Sequence, residues 1–118
     1  MGGVVGIYEA VADATRRRIL DLLRERPRTV GELTEQLALS QPGTSKHLRV
    51  LREAGLVAVE VKGPQRIYRV RPEPLAELDD WLAPYRWLWQ SRLGLLADHL
   101  DSMAQRPETG AEQNEAAP

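Results

Sequence analysis

Apolar residues recur first at helical spacing, then in alternation, then at helical spacing again, and the two changes of period divide the chain into elements. Ile7, Ala10 and Val11 share one side of a short helix over Ile7–Ala12. Asp13-Ala14-Thr15 supplies capping residues for a second helix, Arg16–Glu25, with Ile19, Leu20, Leu22 and Leu23 facing inward and Pro27 as its stop. Thr29 followed three residues later by Glu32 has capping-box spacing and predicts a short third helix carrying Val30, Leu33 and Leu37. A tight connection, Ala38-Leu39-Ser40, leads into a fourth helix, Gln41–Ala54, which Ser40 caps and Gly55 ends in the position of a left-handed residue.

After Gly55 the period shortens to two. Val57, Val59 and Val61 alternate with Ala58, Glu60 and Lys62, and Arg66–Val70 returns after the turn signal Lys62-Gly63-Pro64-Gln65, which predicts a two-stranded hairpin. Pro72 and Pro74 break the chain. A long seam follows through Leu75, Leu78, Leu82, Tyr85, Trp89, Leu93, Leu96, Leu100 and Met103, interrupted by Pro84 as either a kink or the first-turn residue of a second segment. The seam exceeds what a core of this size uses and points to a partner helix. Residues 1–103 thus read as one domain, and 104–118, rich in Glu, Gln, Gly and Pro, as an acidic disordered tail.

Composition narrows the function. The 118 residues allow one core and contain no cysteine, which excludes disulfides, thiolate metal sites and cysteine nucleophiles. No apolar run is long enough to span a bilayer, and Met1–Gly6 lacks a basic leader region, so the reading is cytoplasmic with no membrane partner. The net charge of −1 conceals a split: residues 1–72 hold 13 Lys/Arg against 8 Asp/Glu, and residues 73–118 hold 3 Arg against 9 Asp/Glu. A basic part of this kind suits an anionic partner such as nucleic acid. No phosphate-binding glycine loop, paired catalytic carboxylates or nucleophile–histidine arrangement is evident, and the chain does not read as an enzyme.

The element order is a winged helix-turn-helix layout, mainly α with a small β-hairpin. On the fourth helix Thr44, His47, Leu48, Leu51 and Ala54 gather on one arc, and Pro42, Ser45, Lys46, Arg49 and Glu53 on the other. Small polar and cationic groups near a helix start suit entry into the major groove, and Lys62, Gln65 and Arg66 at the hairpin tip suit a wing lying on the sugar-phosphate backbone. The DNA-binding set is therefore Gln41, Pro42, Thr44, Ser45, Lys46, Arg49, Lys62, Gln65 and Arg66. Within it Gln41, Ser45 and Lys46 read bases, while Arg49, Lys62 and Arg66 contact phosphates. His47, at the edge of the core arc, reads as a hydrogen-bonded packing residue. Trp81 and Trp89 read as packing, and Trp87 as either exposed or bordering a small-molecule effector pocket.

Ala10–Leu20 resembles the opening signature of the ArsR family of bacterial winged-helix repressors, and Ser40–Val57 is similar to that family's recognition helix and following turn. Pro84-Tyr85-Arg86, Trp89 and Arg92-Leu93 resemble the last helix of a cysteine-free branch. Ala14 stands where the family usually has proline, and Gly43 and Thr44 where it commonly has alanine and a branched apolar residue. The resemblance implies a homodimer through the first and last helices that represses transcription at a palindromic double-stranded operator, with an effector, if any, unidentified. The interface would use Ile7, Val11, Trp89, Leu93, Leu96 and Leu100. Metal and cofactor are not expected: the third helix lacks the family's sensing cysteines, and Asp98, His99 and Asp101 do not complete its last-helix site. The competing reading is a winged-helix protein-interaction module without DNA binding, which the cationic Lys46, Arg49, Lys62 and Arg66 disfavour.

Overall fold

The computed structural model describes residues 6–104, apart from the side chains of residues 95–98 and 102–104. Leu96 and the tail beyond 104 lie outside the described residues. The elements are α1 (Ile7–Val11), α2 (Ala14–Glu25), β1 (Arg28–Thr29), α3 (Val30–Leu37), α4 (Gln41–Glu53), β2 (Val57–Lys62), β3 (Gln65–Val70) and α5 (Leu75–Ala104). They fall into two compact units, one ending at Asp80 and the other beginning at Trp81.

The core lies in the first unit. Ile19 and Leu23 of α2, Leu33 and Leu37 of α3, and Leu48 and Leu51 of α4 pack with Leu56, just before β2, and with Val57 and Tyr68 of the sheet. Ile7, expected at an interface between copies, is instead a core residue of its own chain, only 4% exposed, and Val11 beside it is half-buried. A five-residue α1 has only one apolar face, and that face is already covered by its own chain.

The β structure is larger than the expected hairpin. It has three strands in the order β1-β3-β2, with Arg28 opposite Tyr68 and Thr29 opposite Ile67. Two residues are too few to show a period, so β1 left no pattern to read. Its first residue has a second task. Arg28, 7% exposed, donates from Nε to the Leu22 carbonyl at 3.0 Å and pairs with Glu25 at 2.7 Å, satisfying the end of α2 that Pro27 leaves open. The hairpin itself closes with Gly63-Pro64, where Gly63 adopts φ +59° at the first turn position, as a tight hairpin needs. Val61, opposite Arg66, is 64% exposed because the hairpin tip reaches past the core.

Side-chain caps anchor α2 and α3. The Asp13 carboxylate accepts the Arg16 backbone N–H at 3.0 Å at the start of α2. Thr29 and Glu32 form the reciprocal capping box of α3, at 3.2 Å and 2.8 Å. Arg16 also clamps α1: its Nε donates to the Ala10 carbonyl at 2.8 Å and its terminal nitrogen to the Glu9 carbonyl at 3.1 Å. The other terminal nitrogen lies 3.3 Å from His47 Nδ1 on α4. Since guanidinium can only donate, the ring nitrogen is the acceptor in this contact.

A Lys at position 16 has its three N–H groups on a single nitrogen and cannot span the acceptors that Arg16 reaches with three separate ones. Arg16→Lys should therefore lower unfolding stability by about 2 kcal/mol, measured by urea denaturation; an unchanged midpoint would show the clamp to be dispensable. The capping carboxylates give a second expectation. The Arg16 backbone N–H holds the Asp13 carboxyl below its ordinary 3.8, helped by the nearby His47 and Arg16 charges against a desolvation cost. The Thr29 backbone N–H does the same for Glu32 below 4.5, with Arg26 assisting at 3.6 Å. A pKa depressed in the folded state contributes stability above the unfolded value and loses it as pH falls through the folded one. The urea midpoint should thus fall on acidification below roughly pH 4, and Glu32→Gln should flatten that fall; an equally steep decline in the variant would remove Glu32 from the account.

Candidate nucleic-acid interface

Helix α4 begins with a tight local arrangement. Ser40 Oγ accepts the Gly43 N–H at 3.1 Å, and Pro42 occupies the first turn, where its missing N–H costs nothing. A Cβ at position 43 would sit 3.1 Å from that cap hydroxyl, so glycine lets the cap close. Thr44 follows it inward. Its side chain is fully buried at 0% exposure, and its hydroxyl donates to the Ser40 carbonyl at 3.0 Å. This corrects the expected DNA-contacting role: Thr44 fills a core position with the shape of a branched apolar residue, and its polar atom is satisfied within the chain.

The remaining predicted residues of α4, namely Gln41, Pro42, Ser45, Lys46 and Arg49, are all exposed. Together with Arg66 of β3 they line a groove of about 500 Å³, with Val30 and Tyr68 also in its lining. An adjoining groove of about 420 Å³ runs between the start of α3, Gln41 and the hairpin residues Pro64, Gln65 and Arg66. Gln41 and Arg66 belong to both, so recognition helix and wing present one continuous surface. Lys62 lines neither groove; it stands exposed at the hairpin end opposite Gln65.

Arg52 was missed. It lines the larger groove, and its signal was present in the sequence: at about 100° per residue it lies two turns beyond Ser45 on the same face. Tyr68 was missed because a strand residue with 7% exposure reads only as core.

The cations separate by use. Arg16, Arg17 and Arg28 donate to backbone carbonyls, and Arg26, Arg69 and Arg71 pair with carboxylates. Lys46, Arg49, Arg52, Lys62 and Arg66 have no hydrogen bond or ion pair among the described residues. Four of those five surround the groove beside α4. A surface of unpaired guanidinium and ammonium groups, which meet anionic oxygens at about 2.7–2.9 Å, is suited to phosphate, while Gln41 and Ser45 carry donors and acceptors of the kind that can distinguish base edges. Among the described residues no group of three or more His, Asp or Glu could hold a metal ion, and no helix is long and apolar enough to cross a membrane.

Comparison with known proteins agrees with this geometry. The family described as "Bacterial regulatory protein, arsR family" matches residues 13–59, which run from the cap of α2 into β2. The chain is 44% identical over 71 residues to the HTH-type transcriptional regulator Rv2034 of Mycobacterium tuberculosis, covering 60% of this chain and 66% of that protein. It is 33% identical over 76 residues to the transcriptional repressor SdpR of Bacillus subtilis, covering 64% of this chain and 84% of that one. An ArsR-like transcriptional regulator from Rhodococcus sp. RHA1 superposes with a TM-score of 0.64 at 27% identity, over 81% of this chain and 88% of its own. By fold, by the matched segment and by these relatives, the chain belongs to the ArsR family of bacterial regulatory proteins.

Proposed function

We propose that the protein is a sequence-specific DNA-binding transcriptional regulator, acting as a homodimeric repressor of its own or a neighbouring operon through a palindromic operator. The observation that carries this reading is the set of unpaired cations around the α4 groove. Most arginines of α2 and the strands are bonded within the chain, whereas Lys46, Arg49, Arg52 and Arg66, without a partner among the described residues, collect round one groove where α4 meets the wing. In this reading α4 enters the major groove, with Gln41, Ser45 and Lys46 at base edges. Arg49, Arg52, Lys62 and Arg66 neutralise phosphates on either side.

The dimer is supported by the second unit. Tyr85, Leu88, Trp89, Arg92 and Leu93 line an apolar groove of about 390 Å³ on α5. Trp89 is 43% exposed, Leu93 57% and Leu100 52%. Soluble monomers rarely leave so large an apolar stripe to water, and a second copy of the same stripe covers it. Two identical α4 helices then address two half-sites about 34–36 Å apart, one turn of DNA.

Arg66→Ala should weaken binding to cognate and scrambled duplexes alike and reduce the log–log salt slope by about 0.9 per half-site. Gln41→Ala should instead lose about 1–3 kcal/mol at particular operator positions. Titrations at several salt concentrations read both effects, and two variants indistinguishable from the parent would dismiss the α4–wing face as the DNA surface. For the dimer, Leu93→Glu should give a monomer in sedimentation velocity at micromolar concentration, with operator affinity reduced at least tenfold. A variant that stays dimeric would move the interface elsewhere.

A further inference from the structure

The first unit has an apolar cavity that the DNA reading does not use. It measures about 420 Å³, and its walls are Val11 of α1, Leu20 of α2, Val70 of β3, Pro72, and Leu75 and Leu78 of α5. Arg17, Asp21 and Arg24, all on α2, complete its lining. It shares no lining residue with the grooves beside α4. Val11, Leu20, Val70 and Leu75 are packed against the core yet remain only partly buried. The hollow opens to solvent at the surface of the unit where four segments meet, and its floor is apolar side chains that the core leaves only partly covered.

We propose that this cavity binds a small amphipathic carboxylic acid, with its apolar body among Leu20, Val70, Leu75 and Leu78 and its carboxylate on Arg24. The volume lies in the range of small-molecule sites, apolar with few polar groups at one side. At ~30 Å³ per water-sized group it holds roughly fourteen heavy atoms. The charges set the sign of the head group. Two arginines and one aspartate leave the lining net positive. The Arg17 guanidinium already donates to the Val11 carbonyl at 2.8 Å, which fixes it as part of the wall. Arg24 has no partner among the described residues and presents a free fork of donors that fits a carboxylate in bidentate fashion. The cavity wall continues into β3, where Val70 lies four residues from Arg66 on the strand that carries the wing.

The test is independent of DNA binding. The full chain, its leucine and valine methyls labelled with carbon-13, is titrated with decanoate below its micellar concentration, and with decan-1-ol and decylammonium as neutral and cationic partners. Calorimetry and methyl spectra are recorded for the parent and for Arg24→Ala, an exposed position whose loss leaves the core intact. The expected result is saturable decanoate binding with shifts at Leu20, Val70, Leu75 and Leu78. Arg24→Ala should weaken decanoate at least tenfold and leave decan-1-ol unchanged. No saturable binding, shifts confined to Leu88 and Leu93 on α5, tighter binding of decylammonium, or decanoate affinity unaffected by Arg24→Ala would each overturn the proposal. A second copy of the chain covering the cavity would appear as the first of these outcomes.

Discussion

One guanidinium holds the helical layer together. A helix of five residues is far below the length at which a helix persists in water, so α1 depends on what grips its end. Arg16 takes the carbonyls of Glu9 and Ala10, and Arg17 takes that of Val11, so three successive carbonyls at the end of α1 are bonded from the first turn of α2. Because Arg16 also reaches His47, and Asp13 stands 3.8 Å from the same ring nitrogen, the junction of α1 and α2 is tied to the middle of α4. The inward arc of α4 is fixed by Leu48 and Leu51 in the core and by His47 at its edge. Its opposite arc, the one proposed to face DNA, is therefore held in rotation by contacts on the far side of the helix.

This arrangement explains which features could be read from the amino-acid pattern. The helices and the wing announce themselves because each spans several periods and carries its own caps; Thr29 with Glu32, Ser40 and Gly55 all act where their spacing places them. What stays hidden is pairing between distant segments. Arg28 looks like one more surface cation after a proline, and only the fold reveals that it closes α2 and begins a strand against Tyr68. Ile7 looks like half of an interface until α1 is seen folded onto its own core.

The same lesson applies to charge. Arg16-Arg17-Arg18 is the densest basic run in the chain and would attract attention as an anion site, yet all three donate to backbone carbonyls, Arg18 at 3.4 Å to Gln36. The sparser set of Lys46, Arg49, Arg52 and Arg66 forms the surface with electrostatic reach. Counting cations identified the basic part of the chain correctly, but it could not separate those committed to holding the fold from those left to a partner. Thr44 shows the converse: a polar residue on a recognition helix whose hydroxyl belongs to the interior.

The turn between α3 and α4 carries one more feature of weight. Ala38 sits at φ 57°, ψ 43°, a left-handed conformation that an L side chain enters at a cost of about 1–2 kcal/mol. The bend is held there by the Ala38 N–H to Glu35 and the Leu39 N–H to Thr34, both at 3.3 Å. A position under this constraint acts as a sieve on sequence drift. Glycine and asparagine can pass, alanine is tolerated, and valine or isoleucine would force the turn to reopen. Freedom to change is thereby left to the exposed arc of α4, the arc proposed to read DNA, where a side chain can be replaced without disturbing how the two helices meet.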